Sequence, residues 1–126
     1  MTKNKNNQAI WKERIKKNSS KLFEEIGSSI NVDKRLFKED INVSIVHVEM
    51  LCRQKIISTK IKNNIKKGLK KIEKEIIKKK FIFHKKYEDI HMNIEKRLFQ
   101  IIGEDAGFIH TARSRNDQVV TDFKLW

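Results

Sequence analysis

The chain has 126 residues with 29 Lys and Arg against 16 Asp and Glu, a formal charge of +13, four glycines, no proline and 38% hydrophobic residues. So little turn chemistry excludes a sandwich or barrel, and the abundance of Ile, Leu, Lys and Glu points to a single all-α unit with a modest core. One cysteine excludes an internal disulfide, and the chain offers neither an apolar signal segment nor a run near the ~18 residues of a membrane span, so a cytoplasmic protein is expected.

Residues 1–9 read as a flexible polar lead-in, with structure expected from Ile10-Trp11 onward. Leu22, Phe23 and Ile26 recur at helical spacing, and Gly27-Ser28-Ser29 supplies a helix stop and a polar turn. Asn31-Val32-Asp33 can open a second helix, predicted over Lys34 to Gln54 with Leu36, Ile41, Ile45, Val48 and Leu51 near one face and Phe37, Ser44 and His47 alongside. Cys52, among apolar neighbours, reads as a small core residue.

Ser58 suits the N-cap of a third helix, in which Ile61, Ile65, Leu69, Ile72 and Ile76 form the cleanest apolar stripe of the chain. Glu73 and Glu75 are expected to pair with the lysines around them. Phe81-Ile82-Phe83-His84 breaks the pattern and reads as an extended connector over the core. A fourth helix should start near Glu88-Asp89, acids that suit the positive end of a helix dipole, bury Ile90, Ile94, Leu98 and Ile101, and stop at Gly103. Gly107 to Asp117 reads as a loop, and a fifth helix begins around Asn116 to Gln118. Its Val119, Val120, Phe123 and Trp126 are spaced to bury one face. That face is cut off at Trp126, which suggests a fragment or a second chain that supplies the rest.

The positive excess is nearly all lysine, spread over exposed helical positions, and charge by itself speaks to solubility and non-specific attraction. A solvated lysine surface is therefore preferred to a nucleic-acid face. The alternative function is a small basic helical module that binds nucleic acid or an acidic partner. His47, His84, His91 and His110 lack the spacing of a metal set, so no metal is expected. His47 reads as a helix-face histidine with a satisfied hydrogen bond, and His91 could be oriented by Glu88 or Asp89. No glycine-rich phosphate loop is present in the sequence.

The run His110-Thr111-Ala112-Arg113-Ser114-Arg115-Asn116-Asp117-Gln118 concentrates guanidinium, amide and hydroxyl groups. Two arginines flanking a serine suit a carboxylate ligand, since a guanidinium can meet a carboxylate through two charge-assisted hydrogen bonds. The run also leads into a helix N-terminus, where free amides favour an anion. An equally weighted alternative is that Ser114 or Asn116 caps the fifth helix while Arg113 and Arg115 make surface ion pairs.

The stretch H-T-A-R-S-R-N-D-Q-V-V-T-D-F-K-L-W, residues 110–126, closely resembles the first conserved region of the argininosuccinate lyase family. Glu88-Asp89-Ile90-His91-Met92-Asn93-Ile94-Glu95 resembles the family's E-D-[IV]-H-M-x-I-E segment, and Asp40-Ile41 with Ser44, His47, Met50 and Leu51 its D-I-x-G-S-x-A-H-x-x-M-L helix. Ser28-Ser29-Ile30 with Asp33 and Arg35-Leu36 fits A-S-I-x-x-D-x-R-L, so the resemblance covers about residues 10–126 in the family's order.

The resemblance implies the N-terminal helical domain of a fumarase/aspartase-type lyase over residues 10–126, incomplete at its C-terminal end and truncated before the central helix bundle. The implied reaction is β-elimination of argininosuccinate to fumarate and L-arginine, in arginine biosynthesis, by a homotetramer with no cofactor, metal or membrane. It implies substrate binding by Ser29, Asn116, Arg115, Arg113 and Ser114, with Thr111, Asp117, Gln118, Asp89 and His91 in supporting positions. No catalytic residue is expected within residues 1–126, because the family's catalytic serine lies on a later G-S-S-x-M-P-x-K-x-N loop; the 126 residues alone are expected to be inactive. The chain departs from the family pattern at Trp11-Lys12-Glu13-Arg14-Ile15, where W-G-G-R-F is usual, and at Ala112, Gly27 and Val43, where glycine, asparagine and glycine are usual.

Overall fold

The isoleucine and leucine stripe of residues 61–76 forms the centre of the structure, a computed structural model that describes residues 21–126. The expected lead-in at residues 1–9, the start at Ile10-Trp11 and the departure at residues 11–15 lie outside the described residues. Among the described residues the α-helices are α1 Lys21–Gly27, α2 Ile30–Asp33, α3 Phe37–Arg53, α4 Thr59–Ile77, α5 Ile90–Ile102 and α6 Arg115–Leu125. Three 3-10 segments, Lys34–Leu36, Lys85–Tyr87 and Gly103–His110, join them, and no strand occurs among the described residues. No helix among these residues is long and apolar enough to cross a membrane.

Helix α4 starts where Ser58 predicts: its Oγ accepts a hydrogen bond from the Ile61 amide at 3.2 Å, which satisfies one of the helix's free N–H groups. Ile65, Leu69 and Ile72 are fully buried, while Ile61 and Ile76 pack at the margin. They meet Ile41, Val48 and Leu51 of α3 and Ile90, Ile94 and Leu98 of α5, so α4 lies against both helices. Each such side chain taken from water contributes about 1.5–3 kcal/mol, which makes this three-helix contact the main source of stability. At Gly68 the side chains of α5 fill the space that a side chain on α4 would take. A Cβ built there would lie 2.5 Å from Cδ1 of Leu98 and 3.1 Å from Cγ2 of Ile102.

The ion pairs are partly local and partly between helices. Lys70 pairs with Glu73 at 2.9 Å within α4, as expected. Glu75 instead reaches across to Arg97 of α5, which holds it through Nε at 2.9 Å and Nη2 at 2.7 Å. Lys66 and Glu49 similarly join α4 to α3.

Helix α5 follows the sequence closely. Asp89 caps it, its Oδ1 accepting from the Met92 amide at 2.8 Å, and Gly103 ends it with a φ of +73° that suits a residue without Cβ. The connector at 81–84 belongs to no helix or strand and is extended at His84, and Phe81 and Phe83 pack on the core with ring centroids 4.8 Å apart.

Three expectations need correction. The helix predicted over Lys34 to Gln54 begins as α2 and a 3-10 turn, and regular α3 starts only at Phe37. The segment from Gly107 reads as loop, yet Gly103–His110 is a 3-10 helix that buries Ala106 and Ile109. Most consequential is α6. Val120, Phe123 and Trp126 are 54%, 59% and 67% exposed, whereas Gln118 and Asp122 are 1% and 0% exposed. The helix turns its polar face to the core, because Gln118 and Arg115 find partners on α3 and α5 that an apolar face would leave unsatisfied, and Asp122 is carried in beside His91.

Candidate functional site

Three polar stripes on three helices build the site. On α3, Asp40, Ser44 and His47 share a face; on α5, His91 and Glu95; on α6, Arg115, Gln118 and Asp122. At their junction Asp40, Ser44, His91, Gln118 and Asp122 are each no more than 2% exposed.

Asp40 is the hub. Its Oδ1 accepts from Nδ1 of His91 at 3.0 Å and from Nε2 of Gln118. Burial alone would raise the Asp40 carboxyl, but the hydrogen bond and charge of His91, with Gln118 and the Arg113 charge, hold it below its ordinary range. Burial likewise opposes the charge on His91, and the Asp40 bond and charge overcome it, so the imidazole is raised. Asp122 is placed differently. Its Oδ2 lies 3.5 Å from His91 Nδ1, neither of its oxygens has a good hydrogen-bond donor, and burial beside Asp40 pushes its carboxyl up to about 7.

Asp40, His91 and Asp122 bring ligand atoms within 4.8 Å of one another, a grouping that could in principle hold a cation. The chemistry of the set favours an internal ion-pair network instead. Nδ1 of His91, the nitrogen a metal would need, is the donor to Asp40, and Arg113 already adds positive charge beside Asp40 and Asp122.

The loop before α6 hangs on this network. Ser114 caps α6, its Oγ accepting from the Asn116 amide at 3.2 Å. Arg113 reaches Ser44 Oγ with Nη1 at 3.2 Å and Nη2 at 3.3 Å. Arg115 pairs with Glu95 at 2.7 Å and donates to Gln118 Oε1 at 2.7 Å, and His110 Nε2 lies 2.6 Å from the same Glu95 oxygen. Burial would raise Glu95, yet His110 and Arg115 hold it below the usual carboxylate range. His47 donates from Nε2 to the Thr111 carbonyl at 2.7 Å, the satisfied hydrogen bond expected of it. Ala112 takes a φ of +55°, so the backbone keeps a conformation that favours glycine at the position where the family pattern has one. Both arginines therefore hold the loop inward. Asn116 and Asp117 stay exposed.

A second strap fixes Ser29. The amides of Ser29 and Ile30 both donate to the Glu88 carbonyl, at 2.8 and 3.0 Å, and Ser28 Oγ joins them at 3.2 Å. Ser29 Oγ donates to Asp33 Oδ2 at 2.6 Å, and Asp33 Oδ1 accepts from the Ile90 amide at 3.2 Å. Burial raises the Asp33 carboxyl in spite of the Ser29 hydrogen bond. Ser29 itself remains exposed.

Of the residues singled out in the sequence, Arg115 and Gln118 touch each other, and Gln118 and His91 share Asp40. Asp89 and His91 part company: Asp89 caps α5, whereas His91 turns to Asp40 and Asp122 rather than to Glu88 or Asp89 for orientation. Sequence reasoning gave no site role to Asp33, Asp40, Ser44, Glu95 or Asp122, which it saw only as motif or helix-face residues. The available signal was the helical spacing of polar residues on helices that also carry an apolar face.

A family model described as a lyase matches residues 13–126. The chain is 73% identical over 126 residues to the argininosuccinate lyase of Pelagibacter ubique (strain HTCC1062), covering all of this chain and 27% of that protein. It is 52% identical over 117 residues to the argininosuccinate lyase of Symbiobacterium thermophilum, covering 93% of this chain and 25% of that protein. The chain thus spans about a quarter of the length of the curated relatives it matches.

Proposed function

Because the chain belongs to this lyase family, as the N-terminal helical domain of the fumarase/aspartase superfamily, we propose that it forms the substrate-binding part of an argininosuccinate lyase. The reaction is β-elimination of argininosuccinate to fumarate and L-arginine. The observation that carries the reading is identity to an argininosuccinate lyase along the whole chain.

Residues 10–126 then contribute a helical domain to a homotetramer, and the exposed apolar side of α6, with Val120, Phe123 and Trp126, offers surface for packing. Ser29 and Asn116 contact the substrate. Both present exposed polar side chains on segments tied firmly to α5 and α3, which is how a binding group is held to a productive geometry. Arg113, Ser114 and Arg115 complete the binding loop; the two guanidinium groups, anchored on Ser44 and Glu95, give positive potential where a carboxylate-rich substrate enters. Thr111, Asp117, Gln118, Asp89 and His91 support it, Gln118 and His91 through Asp40 and Asp89 through the start of α5.

A chimera tests this. Residues 1–126 replace the matching segment of the Pelagibacter ubique enzyme, and fumarate release from argininosuccinate is followed. Turnover within about tenfold of the parent enzyme is expected, since well-separated substitutions act nearly independently. A folded chimera that releases no fumarate would contradict the reading.

A further inference from the structure

We propose that the pocket where α4 ends, on the side of α5 turned away from His91 and Glu95, binds the phosphoryl group of a small ligand through Lys80 and Lys96. It is separate from the network around Asp40 and does not rest on the lyase reading.

The pocket is a cavity of about 220 Å³ between the end of α4, the connector at 81–84 and the outer side of α5. Its walls are held by the backbone. Lys79 turns the chain at a φ of +56°, and the amides of Lys80 and Phe81 both donate to the Glu75 carbonyl, at 2.9 and 3.2 Å. Across from them Asn93, 2% exposed, accepts from the His84 amide at 2.7 Å and donates to the His84 and Asp89 carbonyls at 3.2 and 2.8 Å. Tyr87 meets His84 edge to face, with ring centroids 5.4 Å apart.

The charges in the lining are unequal. Glu75 and Arg97 cancel each other through two hydrogen bonds, and Nη1 of Arg97 is held by Gln100 at 3.1 Å. The planar fork that would meet a carboxylate is thereby spent inside the wall. Lys80 and Lys96 remain, and neither is paired with an acid among the described residues, although Lys96 is half-buried. Two compact ammonium groups suit a tetrahedral dianion, which accepts from several directions, better than a planar monoanion. The carbonyl end of α4 does not oppose it, because Lys74, Glu75 and Ile76 give their carbonyls to the amides of the turn that follows. Phe81, Ile82 and Tyr87 line the same space and offer an apolar side for the body of a phosphate ester.

The test is calorimetric titration of the chimera with inorganic phosphate, phenyl phosphate and benzoate at constant ionic strength. Both phosphates should fill a site that Lys80→Gln and Lys96→Gln each weaken about tenfold, while kcat/KM for argininosuccinate stays within about twofold of the parent chimera. Lys60→Gln removes the same charge at the opposite end of α4 and should change phosphate affinity by less than about twofold. Tighter binding of phenyl phosphate would identify an ester as the ligand, and equal affinities would identify free phosphate. Benzoate, with the same ring and a planar head, should bind at least about tenfold more weakly than phenyl phosphate. Benzoate as tight as phenyl phosphate, equal losses in all three lysine variants, or no saturable site sensitive to Lys80 and Lys96 would overturn the proposal. None of these results bears on the lyase reading, which is tested by fumarate release.

Discussion

Oδ2 of Asp122 lies 3.5 Å from Nδ1 of His91, and neither side chain reaches solvent. The Asp122 carboxyl, pushed up to about 7 from 3.8, holds a proton in the folded state that the unfolded chain has already released between those values. Stability therefore falls as pH rises through this window. His91 acts in the same direction: its raised imidazole stabilises the fold below its ordinary 6.5, and that contribution is lost as pH climbs through the folded value. Asp40, held low, contributes stability that disappears only as pH falls through its own lowered range.

Urea midpoints should consequently decrease from about pH 5 to about pH 8, and Asp122→Asn should flatten much of that slope. The variant should gain on the order of 1 kcal/mol over the parent near pH 8 and little near pH 5. Parallel slopes in parent and variant would show that Asp122 does not titrate between the two conditions.

Asp89 and His91, neighbours in sequence, should fail differently. Asp89→Ala removes an N-cap and should cost about 1 kcal/mol. His91→Ala strips the main donor from a buried carboxylate and should cost about 3–5 kcal/mol. Similar losses at the two positions, read from denaturant titrations, would argue against Asp40 and His91 as the buried hub.

Ala112→Gly should stabilise the chain. The residue sits at φ +55°, where an L side chain costs about 1–2 kcal/mol, against about 0.4–1 kcal/mol of unfolded-state freedom that glycine adds. A net gain of about 0.5–1 kcal/mol follows. Ala112→Val should lose stability, and a higher melting temperature for valine than for alanine would contradict the backbone argument.

At Gly68, valine should destabilise by about 1–3 kcal/mol, because its added atoms enter the space of Leu98 and Ile102. Leu98→Ala in the same chain should recover part of that loss, which a double-mutant cycle would detect as coupling. Independent, additive losses would mean that the two helices do not meet there.

The helices α4 and α5 were legible from the sequence because their apolar spacing, caps and terminal glycine all agree. At α6 the same rule misled. Its valines, phenylalanine and tryptophan have a helical period, but the opposite face carries Arg115, Gln118 and Asp122, whose partners Glu95, Asp40 and His91 lie on other helices. Periodicity identifies a helix with two faces; which face turns inward depends on partners 20 to 82 residues away in the chain, read from Arg115 with Glu95 and from Asp122 with Asp40. The resemblance made the loop an expected binding segment, yet it could not show that Arg113 and Arg115 turn inward onto Ser44 and Glu95, leaving Asn116 exposed.

The central claim, that the loop before α6 binds substrate through Asn116, meets its most direct measurement in the kcat/KM of Asn116→Ala within the chimera. The exposed amide can be removed without touching the buried network, so the urea midpoint should stay unchanged while kcat/KM for argininosuccinate falls about 10²–10³-fold, the size expected for one oriented donor. An unchanged kcat/KM would take Asn116 out of the site and contradict the account.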